Sequence, residues 1–572
     1  MTVASLVPGV ETLRTYQRSW LTKDLVAGLI LTALLVPQGM AYAELAGLPA
    51  IIGLYTSILC LLGYAVFGPS RILVLGPDSS LGPMIAATLA PLLLAEGSPD
   101  RAIALASALA LIVGAVTILA GAFHLGFVAD LLSKPTQIGY MNGLALTILV
   151  GQLPKLFGFS VDADDLIDEA TGFVRGVSQG EIVGAAALIG LASLALILVL
   201  QRTMPKVPAV LIAVVLAIVG VEAFDLVEHG VAVVGSLPQG FPPLTIPGVS
   251  LTDIGHLLPG ALGIALVALV DTISTASAFA ERAGERIRGN QEMVGIGSAN
   301  VATGLFQGFP VSTSGSRTAV AEQAGAKTQV AGLVGAIAIT LILLLVPGLL
   351  RNLPQPTLAA VVIAASLSLV DIPGVVRLWR QRRAECALAI AAFLGVALLG
   401  VLPGIAVAVA LSIYNVFRRS WWPYQATLGR VDGLPGLHDT AVHPEAALMP
   451  GLIVFRFDAP LIFANARTFR ERITAFADET PDLRWILLAA EPIIDVDTTA
   501  ADMLEDLDEM LNARGISLVF AEMKDPVKEK IERYGLTRTI DPNHFYPTVG
   551  AAVEAFQAET GVRWEPSGEG RT

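Results

Sequence analysis

Two stretches decide how this chain is read: Val74-Leu75-Gly76-Pro77-Asp78-Ser79-Ser80-Leu81-Gly82-Pro83, and Phe306-Gln307-Gly308-Phe309-Pro310-Val311-Ser312-Thr313-Ser314-Gly315-Ser316-Arg317. Each breaks an apolar segment at a proline and restarts it on hydroxyl-bearing residues. Proline lacks the backbone donor that a helix interior needs. Inside hydrocarbon, the N–H and C=O groups freed by such a break are tolerated only where the gap lines a polar cavity or is buried in protein. Two breaks in corresponding halves of one chain therefore mark a solute site at membrane depth. A helix N-terminus carries unpaired N–H groups and about half a positive charge, so two that face each other suit an anion. Ser79 and Ser80, and Ser312, Thr313 and Ser314, are capping residues that can add hydroxyl donors. Arg317, one turn into the second half-helix, adds a fork shaped for an oxyanion. The competing reading is a pair of proline-kinked helices whose hydroxyls bond back to their own backbone.

The rest of the chain is that of a polytopic α-helical membrane protein. Of 572 residues, 54% are hydrophobic and 15% charged, with a mean hydropathy of +0.69. A soluble fold cannot use so much apolar surface. A span needs roughly 20 apolar residues, and about fourteen stretches qualify, some short or broken. They are 24–46, 50–67, 78–95, 101–123, 125–157, 181–201, 207–223, 257–281, 291–307, 312–324, 328–350, 356–372, 384–398 and 402–418. Lys134-Pro135 could divide the fifth. Basic connections hold Arg202 and Lys206; Arg282, Arg286 and Arg288; Arg377, Arg380, Arg382 and Arg383; Arg418 and Arg419. Acidic ones hold Asp162, Asp164, Asp165, Asp168 and Glu169, then Glu222, Asp225 and Glu228. The Lys/Arg bias places both termini in the cytoplasm, as an even number of spans requires.

Several function classes fall away. A formal charge of −13 argues against nucleic acid. Cys60 and Cys386 lie in apolar stretches and read as packing residues rather than a disulfide framework. The histidines are scattered, without metal-site spacing. No nucleophile–base pair or phosphate loop points to an enzyme. The first twenty residues lack the pattern of a cleaved signal peptide.

Asp271, in Ala268-Leu269-Val270-Asp271-Thr272-Ile273-Ser274-Thr275, follows a mostly apolar run and should lie within the membrane. A central carboxylate costs about 2.5–3.5 kcal/mol and is by default functional. Thr275, at i+4, shares its face. The pair suits Na⁺ or a titrating proton; alternatively Asp271 pairs with Arg317 and fixes the core. In Pro37-Gln38-Gly39-Met40-Ala41-Tyr42, Gln38 could donate to an anion or to a neighbouring helix, and Glu44 lies near the membrane edge. Asn290-Gln291-Glu292, beside Glu281, Arg282, Glu285, Arg286 and Arg288, reads as a set of structural ion pairs.

From about residue 421 the composition changes. Trp421-Trp422-Pro423-Tyr424 resembles an interfacial belt. Strands at 452–457, 485–490 and 516–521 then alternate with helices at 465–477, 498–513, 526–535 and 549–558, an α/β pattern. The division expected is a transmembrane domain over 1–420, a linker over 421–448, a soluble domain over 449–560 and a disordered tail over 561–572.

Taken together, these residues resemble the SulP anion transporters, the sulfate-permease family that includes prestin and pendrin. The likeness runs over roughly 12–560 and is carried by Pro37–Ala43 with Ala46-Gly47-Leu48-Pro49 and Gly53-Leu54-Tyr55, by Asn290-Gln291-Glu292 leading to Asn300, and by Pro310–Thr318. The resemblance implies fourteen spans as a seven-plus-seven inverted repeat, divided into core and gate subdomains. It implies an anion site between the third and tenth half-helices, with Ser79, Ser80, Ser314, Ser316 and Arg317 at the anion and Gln38 facing it. Asp271 and Thr275 match an Asp and Thr that hold Na⁺ in a bicarbonate-transporting branch, which implies cation-coupled uptake. The tenth segment departs from that branch, hydroxyls replacing mostly small residues, and this favours sulfate. The tail resembles a cytoplasmic STAS domain, in which Thr499 matches a phosphorylated serine; plain N-capping by Thr498 or Thr499 is the alternative.

The expectation is secondary active uptake of sulfate with H⁺ or Na⁺ in a bacterial inner membrane, without other cofactors, by a homodimer whose STAS domain could meet a cytoplasmic partner. Bicarbonate or dicarboxylate transport, uncoupled anion exchange, and a membrane-anchored anion sensor signalling through the STAS domain are the alternatives.

Overall fold

The computed structural model describes residues 7–93, 97–126, 132–161, 163, 165–204 and 207–563. Asp162, Asp164, Lys206, part of the 125–157 stretch and the end of the tail lie outside them. The chain divides into two compact units, Met1–Ser412 and Ile413–Thr572.

The spans form two sets of seven. The first set is Leu21–Leu45, Ala50–Phe67, Gly82–Leu93, Pro99–Ala122, Lys134–Leu156, Gly184–Thr203 and Ala209–Ala223, here spans one to seven. The second is Leu251–Ala283, Gly289–Leu305, Gly315–Gln323, Val330–Leu345, Gln355–Leu367, Arg383–Leu399 and Val401–Trp421, spans eight to fourteen. By length and composition, among the described residues, only spans one, two, four, six, eight, twelve (with the helix after it) and fourteen are long and apolar enough to cross a membrane on their own. The others are tolerated because protein, not lipid, surrounds their polar parts. Span nine, for example, carries Glu292 and Asn300, both fully buried.

Packing repeats the two-fold pattern. Span four packs on nine as eleven does on two, and span five packs on thirteen as twelve does on six. Close approach depends on small residues. A Cβ on Gly53 would lie 1.8 Å from the Gly39 carbonyl oxygen, so spans one and two touch backbone to backbone.

Two helices between spans were not expected. Leu166–Gln179 and Ile372–Gln381 occupy connections that loop charge alone had described as acidic and basic. Each precedes the sixth span of its set, and each is capped by an aspartate: Asp165 accepts from Asp168 N at 2.8 Å, Asp371 from Gly374 N at 2.8 Å. Exposed Ile167 and Val174 on one, and Ile372, Val376 and Trp379 on the other, give them an apolar stripe beside their charges.

The second unit is an α/β fold. Its sheet runs in the order β4 (Leu437–Asp439), β3 (Gln425–Arg430), β5 (Leu452–Phe457), β6 (Trp485–Ala489), β7 (Ser517–Ala521) and β8 (Phe545–Tyr546). Strands β5 to β8 are parallel and β3 is antiparallel to its neighbours. Ile453, Phe455 and Phe457 face helices Ala466–Glu479, Thr498–Ala513 and Asp525–Tyr534, while Leu452 and Val454 face Val549–Thr560. The expected linker 421–448 is therefore corrected: it supplies β3 and β4, whose Gly433 and Gly436 turn hid a hairpin.

Candidate functional site

The two breaks meet. Leu75–Gly76 (β1) and Ser312–Thr313 (β2) pair antiparallel, Leu75 opposite Thr313 and Gly76 opposite Ser312. Buried backbone groups need partners, and several here find them across the two breaks. Ser314 N donates to Val74 O at 3.1 Å, and Val74 N to Thr318 Oγ1 at 3.0 Å. Asn300 brackets Val311, donating to its carbonyl at 3.2 Å and accepting from its N–H at 2.9 Å. Thr56 Oγ1 accepts from Phe309 N at 3.2 Å. Gln329 Nε2 donates to the Ser70 and Leu73 carbonyls, both at 2.9 Å. The breaks are thus a miniature sheet with a side-chain scaffold, not kinks in continuous helices.

From that sheet two half-helices diverge. At the first, Asp78 rather than Ser79 or Ser80 organises the turn, its Oδ1 accepting from Ser80 N at 3.0 Å and Ser80 Oγ at 2.8 Å. At the second, Ser314 is the cap, accepting from Arg317 N at 3.4 Å, and its hydroxyl lies 3.1 Å from Ser316 Oγ. Thr313 Oγ1 donates to Thr272 Oγ1 at 2.9 Å, tying the break to span eight.

A cavity of about 1,020 Å³ opens at these tips, between spans one, three, eight and ten on one side and five, seven and twelve on the other. Gln38, Ser79, Ser80, Asp271, Thr275, Ser314, Ser316 and Arg317 all line it. It reaches Gln201 and Val207, at either end of the basic connection that holds Arg202. Gln38 makes no hydrogen bond to the protein among the described residues, so its amide is free to meet a solute rather than a neighbouring helix. Glu44 ends span one, half-buried and outside this lining.

Arg317 is 1% exposed. Its Nη1 donates to the Pro77 carbonyl at 2.7 Å, joining the two breaks again. Its guanidinium packs over Gly76, where a Cβ would stand 3.3 Å from Cζ. Nε and Nη2 have no hydrogen-bond partner, and neither does the buried hydroxyl of Ser312. Buried donors left unpaired are costly, which makes them an invitation to a ligand. Asp271 accepts from Ser80 Oγ at 3.3 Å and does not pair with Arg317. That place is taken by Asp78, whose Oδ2 lies 3.7 Å from Nη2. Asp78 was not singled out from sequence; its position at the first residue after Pro77 was the available signal.

Other expectations need correction. Among the described residues Glu292 belongs to no ion pair; Tyr64 donates to it at 2.6 Å and Ser70 also bonds it. Arg282 pairs with Glu322 and Arg71 with Glu285, across elements rather than along one helix. In the second unit Asp497 caps Thr498–Ala513, accepting from Ala500 N at 2.8 Å, so neither Thr498 nor Thr499 is the cap. Thr499 is exposed in the first turn. Among the described residues no three His, Cys, Asp or Glu side chains gather as a metal cage.

The chain is similar to known proteins over most of its length. The sulfate permease family pattern matches residues 21–392, and a STAS domain pattern matches 443–552. A probable sulfate transporter of Mycobacterium tuberculosis is 41% identical over 97% of this chain and 99% of its own. Sulfate transporter 3.1 of Arabidopsis thaliana is 29% identical over 98% of this chain and 89% of its own. Among solved structures, murine solute carrier 26 family member A9, an anion transporter in the inward-facing state, superposes with a TM-score of 0.89 at 24% identity, covering 97% of this chain and 94% of that one.

Proposed function

The chain belongs to the sulfate permease family, and on that premise we propose that it takes up sulfate across a bacterial inner membrane, driven by H⁺ or Na⁺. It is an anion transporter, not an enzyme. The observation that carries the substrate reading is the pairing of β1 with β2, which brings two half-helix N-termini and the Arg317 fork to one cavity. Four acceptor oxygens and two charges match such a site.

Asp271 makes the coupling. A carboxylate in the same cavity repels a dianion, so a cation on Asp271, with Thr275 as a neutral partner for Na⁺, lowers the cost of anion entry. Spans one to four and eight to eleven form the core; moving it against the remaining spans carries the site from one face to the other. The basic connections put both termini and the STAS domain in the cytoplasm. A homodimer and a partner for the STAS domain complete the proposal.

The test is labelled sulfate uptake into proteoliposomes, with pH and Na⁺ gradients imposed separately and bicarbonate or fumarate as cold competitors. Accumulation above equilibrium under one gradient supports the reading. Binding without flux would favour a sensor, flux that only equilibrates an exchanger, and stronger competition by bicarbonate or fumarate another substrate.

A further inference from the structure

We propose that Asp78 is a built-in competitor of the transported anion: its carboxylate neutralises Arg317 from the tip of the first half-helix, and the anion must take its place. The proposal rests on the transport reading above and concerns the same cavity.

Arg317 reaches across the site because Pro77 O accepts from its Nη1 at 2.7 Å. That bond occupies Nη1, while the Nε–Nη2 edge of the guanidinium, the edge that binds an oxyanion side-on, has no hydrogen-bond partner. Asp78 is the carboxylate nearest that edge, but at 3.7 Å it is beyond hydrogen-bond length. The pair is therefore held by charge without directional bonds. Asp78 Oδ1 is meanwhile committed to Ser80 N and Oγ, which leaves only Oδ2 toward the arginine. Both residues line the cavity, and with its side chain 16% exposed against 2% for Arg317, Asp78 is the more open of the two to it.

Such an arrangement selects by charge and shape together. An incoming anion gains Arg317 only by losing the attraction Asp78 already supplies. Chloride offers one charge and no oxygens, so its exchange against the carboxylate gains little. Sulfate brings a second charge and can bond Nε and Nη2 at once, and it also reaches the N–H groups of the half-helix beyond. Asp78 thereby makes the site selective for a multivalent oxyanion over the common monoanion.

Calorimetric titration of the purified full chain with sodium sulfate, repeated in sodium chloride, tests this. Asp78→Asn keeps the Oδ1 acceptor for Ser80 while removing the charge; Asp78→Ser removes the carboxyl altogether and guards against an effect peculiar to the amide. Both are expected to bind sulfate about tenfold more tightly than the unmodified protein, and to become sensitive to chloride that leaves the unmodified protein unaffected. A residue that merely shaped the turn would weaken binding when replaced. Unchanged or weaker sulfate affinity in both variants, with no new chloride competition, overturns the proposal while leaving the transport reading intact. No sulfate binding by the unmodified protein would overturn both.

Discussion

In the proposed mechanism Arg317 and Asp271 divide the work of the cavity between them, and their replacement should fail in different ways. Removing the guanidinium by Arg317→Ala takes away charge-assisted bonds and the link to Pro77; sulfate affinity should fall about 10- to 100-fold. Arg317→Lys keeps the charge without the planar fork and should fall in between. Equal affinities by titration would remove Arg317 from the site. Asp271→Asn should keep anion binding and exchange but lose gradient-driven accumulation; accumulation at the unmodified rate would refute coupling through this carboxylate. A third residue tests the soluble unit. Asp508 is 2% exposed and accepts from Asn512 Nδ2 at 2.9 Å, and burial pushes its pKa up to about 6. The folded state therefore binds the proton more tightly than the unfolded chain, so stability falls as pH rises from about 4 to about 6 and stays lower above that. Asp508→Asn should stabilise the unit by about 1–3 kcal/mol at pH near 7.5 and hardly at all near pH 4. Thermal unfolding at the two values decides it; the same increment at both would rule out titration as the cause.

At the scale of elements, contacts between breaks and helices matter more than their own propensities. Gly53→Ala forces a Cβ to within 1.8 Å of the Gly39 carbonyl oxygen, so spans one and two must part. A loss of about 1–3 kcal/mol is expected from overpacking alone, read as a lower melting temperature in detergent; an unchanged melting temperature would mean that these helices do not cross so closely. The same scale shows what the sequence could reveal. Proline followed by hydroxyls made both breaks legible, and Asp271 stood out because a carboxylate within an apolar span is too costly to keep without a use. The β1–β2 pairing was not legible, since two residues on each side carry no alternating pattern and their partners lie far apart in the chain. Nor were Leu166–Gln179 and Ile372–Gln381, whose charges masked a helical apolar stripe. Strands β3 and β4 were passed over because their glycine-rich turn resembles a linker until β5 is there to pair with. Asp78 was missed for a related reason: beside a proline it reads as a turn residue, and only the fold brings Arg317 to it.

For the whole molecule, the paired contacts of the two sets of seven spans imply that one site serves both faces of the membrane. The cavity lies at the seam between the two groups of spans, so the proposed movement of one group against the other would expose the same residues in turn. Transport by this route depends on the anion sitting at the joined half-helix tips. Ser316 is exposed to the cavity there, and Cys60 and Cys386 are both buried, so Ser316→Cys offers a single reactive thiol at the site. Its rate of modification by a small cationic thiol reagent should be slowed severalfold by saturating sulfate. A rate that sulfate leaves unchanged, in protein that still transports it, would place the anion elsewhere.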